Sequence, residues 1–369
     1  MSTSATSIAE PPTWWYLRGW LILQALKGIN PTTLTEKDVP RKDMRGKWVI
    51  VTGANNGIGF EASKTFAKWG ANIIMACREP PKWETHPSAA VEHCVDLARS
   101  EGHSSTIEWW AIDMTDLASI DDFAQRWLAT GRALDILCNN AGIAPHSTDQ
   151  KELTKDGFEI LHQINCISHT LLTFRILESL ARSAEPRIVC TTSNLHFFGK
   201  LELDKENLPV RKIGGTYENN KLYLQTWLSE LQRRLISSEK YRHITINGVH
   251  PGYVNSGIWN FSPSLEGGWQ EGLSKFIAGR FSISSEQGSF AIVNAATSDE
   301  FGPNPETQGR GEPGAKGGGN FINRIWKTAC NPWCDDEGVR LWIWNGIGAE
   351  LRSAREGLHV LEELDAIDV

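Results

Sequence analysis

A doubly wound α/β fold, a parallel sheet with helices on both faces, follows from three observations on this sequence. Short β-branched runs alternate with helix-period segments in a regular rhythm. The first such run breaks at once into a glycine cluster that opens a helix. A length of 369 residues with 40% hydrophobic and 22% charged side chains suits one large α/β domain with extensions. The domain proper is placed at residues 46–300, between an N-terminal extension, 1–45, and a C-terminal segment, 301–369.

The first element of that domain is the buried strand Gly46–Thr52, followed by Gly53-Ala-Asn-Asn-Gly57-Ile-Gly59 and a helical pattern through Ala62, Phe66 and Trp69. Strand, glycine turn and helix N-terminus together let backbone amides cradle a pyrophosphate. Gly53, Asn55, Gly57, Ile58 and Gly59 are therefore candidate cofactor contacts; a plain tight turn is the competing reading. Strand Ala71–Cys77 ends in Arg78, where an acidic residue would accept from an adenosine 2′-hydroxyl. A guanidinium suits a 2′-phosphate, so the expected cofactor is NADP(H) rather than NAD(H). Residues 79–105 hold a proline-rich loop and a helix over Ser88–Arg99. Strand Ile107–Ile112 ends in Asp113 and Met114, positioned for the adenine amino group. Helix Leu117–Leu128 leads to strand Leu134–Cys138 and then Asn139-Asn140-Ala141-Gly142, small enough to let a cofactor approach the backbone.

A long helical pattern spans Thr154–Arg182 and contains Asn165, a residue that mid-helix usually has a partner. Strand Arg187–Thr192 ends at Ser193. The next helix starts near Tyr217 and carries Leu224, Leu228, Leu231 and Leu235 as a core stripe. Strand His243–Val249 ends in His250-Pro-Gly-Tyr-Val254. Residues Pro303–Gly319 read as a flexible insertion, Gly319–Ile322 as the last strand, and a terminal helix extends to about Leu358.

Composition excludes some functions. A formal charge of −7 and the lack of a basic block argue against a nucleic-acid partner. The seven cysteines lie mostly in apolar runs, which fits a reducing, cytoplasmic setting better than a disulfide framework. Cys330 and Cys334 lack further ligands at metal spacing, so no metal is expected. The N-terminal run Trp14–Leu26 is too short and interrupted to span a bilayer. Its aromatic residues, followed by six basic against three acidic residues over 27–47, suit peripheral attachment to a membrane or lipid surface. Packing on the protein's own body, or on the partner subunit of a homo-oligomer, stands equally beside that reading.

The chemistry centres on Tyr217-Glu-Asn-Asn-Lys221. Residues four apart share a helix face, so phenol and ammonium can address one point. A cation held close should pull the phenol, ordinarily near pH ~10, toward the working range. Such a pair can give a proton to a carbonyl or take one from an alcohol. Alone, the pair carries little weight.

Taken in order, Thr52-Gly-Ala-Asn-Asn-Gly-Ile-Gly59, Asn139-Asn-Ala-Gly142, Ser193, Tyr217-x-x-x-Lys221 and Pro251-Gly252 resemble the short-chain dehydrogenase/reductase family over about residues 46–300. Ala76-Cys-Arg78, Asp156-Gly-Phe-Glu159, Arg187-Ile-Val189 and Leu341-Trp-Ile-Trp344 look most like its retinol-dehydrogenase-like branch. The resemblance implies a Rossmann-type sheet and a live oxidoreductase. It makes Tyr217 the acid/base, Lys221 the group that lowers the tyrosine pKa and holds the nicotinamide ribose, and Ser193 the residue that polarises the substrate oxygen. It also implies that Asn165 carries a water-linked proton relay to Lys221, and that Pro251, Gly252 and Val254 fix the nicotinamide carboxamide. Three departures stand out: Thr191-Thr192 before Ser193, an insertion over Leu201–Gly215, and Ser256 where a threonine often follows the Pro-Gly motif.

In this family the segment after Pro251-Gly252 folds over the substrate. Here it carries Trp259, Phe261 and Trp269 among glycines, serines and a proline, which suggests a lipophilic carbonyl such as a retinoid, steroid, fatty or aromatic ketone. Two other functions stay open at this point: a non-catalytic nucleotide-binding scaffold, and an epimerase or dehydratase on the same cofactor. Intact Ser193, Tyr217 and Lys221 argue against the scaffold, which has no need of them.

Overall fold

The computed structural model describes residues 15–81, 86–144, 153–201, 217–254, 282–304 and 317–367. Its centre is an eight-stranded sheet. The strands are β1 (Trp48–Thr52), β2 (Asn72–Cys77), β3 (Ile107–Ala111), β4 (Ile136–Asn139), β5 (Arg187–Thr191), β6 (Thr245–His250), β7 (Phe321–Asn323) and β8 (Trp326–Thr328). They lie in the order β3-β2-β1-β4-β5-β6-β7-β8, all parallel except β8, which runs antiparallel to β7. The doubly wound fold is therefore as expected. The order of winding reverses between the parallel neighbours β1 and β4, the switch point outside whose carboxyl ends such sheets form their ligand crevice.

Ten helices among the described residues surround the sheet: α1 (Trp15–Lys27), α2 (Gly57–Lys68), α3 (Pro87–Ser100), α4 (Leu117–Ala129), α5 (Ile160–His162), α6 (Ser168–Ala181), α7 (Tyr217–Ser237), α8 (Ser285–Thr297), α9 (Glu337–Ala354) and α10 (His359–Asp365). Strand side chains alternate between two apolar layers. Val49, Val51, Ile73 and Met75 pack under α2, α3 and α8. Ile50, Ile74 and Ile188 pack under α4, α6, α7 and α9. Burial on both faces explains why these strands read as continuous apolar runs.

Local sequence sets the helix starts. Asp116 caps α4 by accepting from the Ala118 N–H, and Pro87 stands in the first turn of α3, behind the His86 cap. Three features differ from expectation. The pattern that begins at Thr154 does not become helical until Ile160, because Gly157 at φ +82° turns the chain and Leu153 bridges to Glu159. Gln163–Ile167, which includes Asn165, is a π turn joining α5 to α6. β8 and α10 were not foreseen; each is short, and a three-residue strand carries almost no periodic signal.

Candidate active site

The cofactor side of the crevice is built on the end of β1. Gly53 and Gly57 have φ of +64° and +59°, a region that disfavours any side chain. A Cβ added at Gly59 would lie 2.5 Å from Asn140 Nδ2 and from the Gly53 carbonyl, so α2 starts hard against β4 only because that position is glycine. Asn56 caps α2 with no side-chain hydrogen bond, and the first turn holds no acidic residue. The first amides and the positive end of the helix dipole thus face the crevice, a fit for a pyrophosphate. Thr52, at the head of the glycine motif, fastens the two strand ends. Its hydroxyl accepts from the Asn140 and Ala141 N–H groups, each at 2.9 Å.

The other expected cofactor residues follow the ends of β2, β3 and β6. Arg78 is exposed directly beyond the buried end of β2. Asp113 uses Oδ1 to accept from the Thr115 N–H and hydroxyl, at 2.8 and 2.7 Å. The Met114 carbonyl accepts from Ser168 Oγ at 2.7 Å, which ties that loop to α6. Pro251 to Val254 leave β6 with Gly252 at φ +95°, and Val254 forms a bridge with Ile283. Ser256, the aromatic residues Trp259, Phe261 and Trp269, and all but the first residue of the Leu201–Gly215 insertion lie outside the described residues.

On the catalytic side, Tyr217 opens α7 and Lys221 follows one turn later, both buried. Lys221 Nζ lies 5.3 Å from the Tyr217 ring centroid and donates to the Thr191 carbonyl at 2.8 Å. The Tyr217 phenol is hydrogen-bonded to the Ser193 side chain. Asn165 Oδ1 accepts from the Ile143 N–H and Nδ2 donates to the Ile143 carbonyl, both at 2.9 Å. A Cβ placed on Gly142 would sit 3.0 Å from Asn165 Oδ1 and 3.8 Å from Lys221 Nζ. Asn165 and Lys221 therefore meet the backbone that follows β4, with Tyr217 beside Lys221 and Ser193 beside Tyr217. The π turn around Asn165 is of the kind that recurs at functional sites.

The electrostatics correct one expectation. The Tyr217 phenol pKa is raised, not lowered. Burial pushes the phenol up to about 12, against the smaller pull of its hydrogen bond with Ser193. Burial also lowers the Lys221 ammonium to about 8. Both groups sit in one dry site and each resists ionisation there, while the ammonium, 5.3 Å from the ring centroid, donates to the Thr191 carbonyl.

Several supporting residues carry no signal in the sequence. His162, just before the π turn, reaches Asn220 of α7 at 2.9 Å and Glu350 of α9 at 3.0 Å. Burial alone would lower its pKa, but the adjoining Glu350 carboxylate outweighs that and raises it. His169 donates to the Ala141 carbonyl at 2.7 Å, and burial holds its pKa at about 4, hence neutral. A lone histidine on an apolar helix gives no sequence signal of this kind.

The N-terminal extension also reaches the site. Asn194, next to Ser193, donates to the Gln24 and Ala25 carbonyls at the end of α1, at 2.8 and 3.3 Å. Trp20 meets Phe197 edge to face at 5.9 Å. Further along, Asn323 donates to Lys27, His250 to Gly28, and the buried Arg324 to Asn30. Packing on the protein's own body, one of the two readings of this helix, is thus observed. It leaves Ile22, Leu23 and Leu26 exposed at 49%, 53% and 55%. The basic excess that follows is partly neutralised: Lys42 pairs with Glu185, Arg45 with Asp43 and Lys47 with Asp135. Among the described residues, no helix is long and apolar enough to cross a membrane.

Comparison with known proteins agrees with this geometry. The sequence pattern described as short chain dehydrogenase matches residues 47–205. Human retinol dehydrogenase 13 is 33% identical over 84% of this chain and 87% of its own length. Mouse retinol dehydrogenase 12 is 34% identical over 70% and 75%. The human WW domain-containing oxidoreductase is 30% identical over 82% and 67%. Among solved structures, an uncharacterized protein of Mycobacterium paratuberculosis superposes with a TM-score of 0.60 at 24% identity, over 87% of this chain and 98% of its own. The NADPH-dependent 3-quinuclidinone reductase of Rhodotorula rubra gives 0.52 at 16% identity, over 80% and 98%. At those identities the structural likeness speaks for the fold.

Proposed function

This chain belongs to the short-chain dehydrogenase family, in its retinol-dehydrogenase-like branch, and from that premise we propose that it interconverts a carbonyl and an alcohol on a lipophilic substrate with NADP(H). The observation that carries the proposal is the buried Tyr217 phenol hydrogen-bonded to Ser193 with Lys221 one turn away. The nicotinamide, when bound, supplies or accepts the hydride. Tyr217, kept protonated by burial, is poised to donate to the carbonyl oxygen as the alcohol forms, and to take that proton back in reverse. Ser193 shares a hydrogen bond with that phenol, so an oxygen placed between them is oriented by both. Lys221 supplies fixed positive charge beside the site and would hold the nicotinamide ribose. Both ends of the Asn165 amide are engaged with Ile143, so a relay through it would use the second lone pair of Oδ1. Asp113, Met114, Asn140, Pro251, Gly252, Val254 and Ser256 complete the proposed cofactor contacts.

Arg78 supports the choice of NADP(H), because an exposed guanidinium at the end of β2 fits a 2′-phosphate. The exposed Ile22, Leu23 and Leu26 on α1 support peripheral contact with a lipid surface, from which a lipophilic substrate would come. Incubation with NADPH and a panel of lipophilic and polar ketones tests the enzyme. Oxidation of NADPH with the lipophilic members is the expected result. No turnover with any carbonyl or alcohol would leave the fold as a scaffold. Sedimentation of the full chain with anionic vesicles tests the surface, and failure to sediment would remove it.

A further inference from the structure

Ser193 caps a short 3-10 turn, Asn194–Phe198, by accepting from the Leu195 N–H at 3.2 Å. The same turn carries His196, which is wholly buried between Phe197 and Phe321, with ring centroids 4.2 and 4.4 Å apart. Its two ring nitrogens have unambiguous partners. Nε2 lies 3.0 Å from the backbone N–H of Asn331, which can only donate, so Nε2 must be the accepting, unprotonated nitrogen. The proton is therefore on Nδ1, which points at the Ser193 carbonyl 2.6 Å away. That carbonyl also accepts from the His196 N–H at 3.0 Å, so it is pinned by two donors of one residue. Asn331 closes the arrangement by donating its Nδ2 to the His196 carbonyl at 3.0 Å. Burial keeps the ring neutral, with a pKa of about 3, so the tautomer does not exchange with a cation near neutral pH.

We propose that His196 is a positioning residue for Ser193, its Nδ1–H tautomer locked by Asn331, so that the C-terminal segment sets the aim of the catalytic hydroxyl. Fixing the Ser193 carbonyl fixes the direction of its Cα–Cβ bond, and a hydroxyl displaced by a fraction of an ångström loses its alignment with Tyr217 and the substrate oxygen. The role of Ser193 rests on the function proposed above. The role of Asn331 is read from its own hydrogen bonds.

Asparagine can replace the histidine Nδ1 donor but not the Nε2 acceptor; glutamine reaches toward Asn331 but not back to the Ser193 carbonyl. On the full-length protein, His196→Gln is expected to lower kcat about ten-fold with KM for NADPH unchanged, and His196→Asn to restore most of it. A role in stability alone predicts instead that both variants lower Tm and keep wild-type kcat per folded molecule, which overturns the proposal. Nitrogen-15 NMR of the wild-type ring reads the tautomer without any turnover; a proton on Nε2 would also overturn it. Ser193→Ala is the control for the underlying reading. If it retains full activity, the hydroxyl has no catalytic role and the positioning proposal falls with it. If it is inactive while His196→Gln is not, only the positioning proposal fails.

Discussion

The two sides of the crevice are held together by different means. The cofactor side, at the ends of β1 and β4, is fixed by backbone: positive φ at Gly53 and Gly57, a close approach at Gly59, and the Thr52 hydroxyl bridging the two strand ends. The catalytic side, around β5 and α7, is fixed by side chains that call on the ends of the chain. Asn194 reaches α1, His196 reaches Asn331, and His162 reaches Glu350. The first kind of support is carried by two short motifs, Thr52–Gly59 and Asn140-Ala141, on neighbouring strand ends. The second exists only once segments some 130 to 190 residues apart have packed. A site built this way can keep its cofactor turn while its extensions vary, but its catalytic geometry depends on them.

The sharpest break between the two sides is Tyr217→Phe. It removes the proposed proton donor and leaves the Gly53–Gly59 turn untouched. Turnover should fall by ~10²–10⁴-fold, the range typical of acid–base catalysis, with NADPH binding unchanged by fluorescence titration. Near-native turnover would remove Tyr217 from the chemistry.

Deleting residues 1–34 should damage the catalytic side next most. It strips acceptors from Asn194, Asn323, His250 and Arg324, all buried donors. Each orphaned donor costs about 1–3 kcal/mol, so the loss should be several kcal/mol, seen as a lower denaturation midpoint and lost activity. A truncated protein as stable and active as the whole would show that the extension only rests on the surface.

These two experiments also mark where the sequence was legible. The strands announce themselves because they are buried on both faces, and Gly53–Gly59 and Tyr217–Lys221 because phosphate binding and helical spacing constrain residue type locally. Asn331 and Glu350 gave no signal, since a polar residue that will be buried looks like any surface residue until its partner is known. The ionisation of Tyr217 is illegible for the same reason: spacing shows that a lysine is near, and only the structure shows how dry the site is.

Acid should separate the sides less sharply, because buried neutral histidines serve both. His169 braces Ala141, while His196 and His250 brace Ser193 and the N-terminal arm. Burial lowers all three, to about 4, 3 and 4. With folded values below the unfolded ~6.5, their contribution is present above pH 6.5 and is lost as pH falls toward 4. Each adds about 1.4 kcal/mol of destabilisation per pH unit in that window. His162, raised instead, is already protonated in both states below 6.5 and adds no slope there. Denaturant midpoints at pH 7, 5.5 and 4.5 should therefore fall steeply; a flat profile would mean that these rings are hydrated in solution.

The smallest expected effect belongs to the cofactor side and tests whether its specificity is as local as its geometry. Arg78 is exposed at the end of β2. If its guanidinium meets a 2′-phosphate, the contact is a charge-assisted hydrogen bond at the wet rim of the site, worth about 1.5 kcal/mol at the low end of its range. Arg78→Ala should then raise KM for NADPH about ten-fold, leave KM for NADH nearly unchanged, and leave kcat alone, since NADH has no phosphate to lose. Added salt should narrow the difference between the two cofactors in the wild type and do little in the variant, because the charge that salt screens is gone. An equal loss with both cofactors would show that Arg78 supports the β2 end itself. In that case even the cofactor side draws on side chains that its motif does not name.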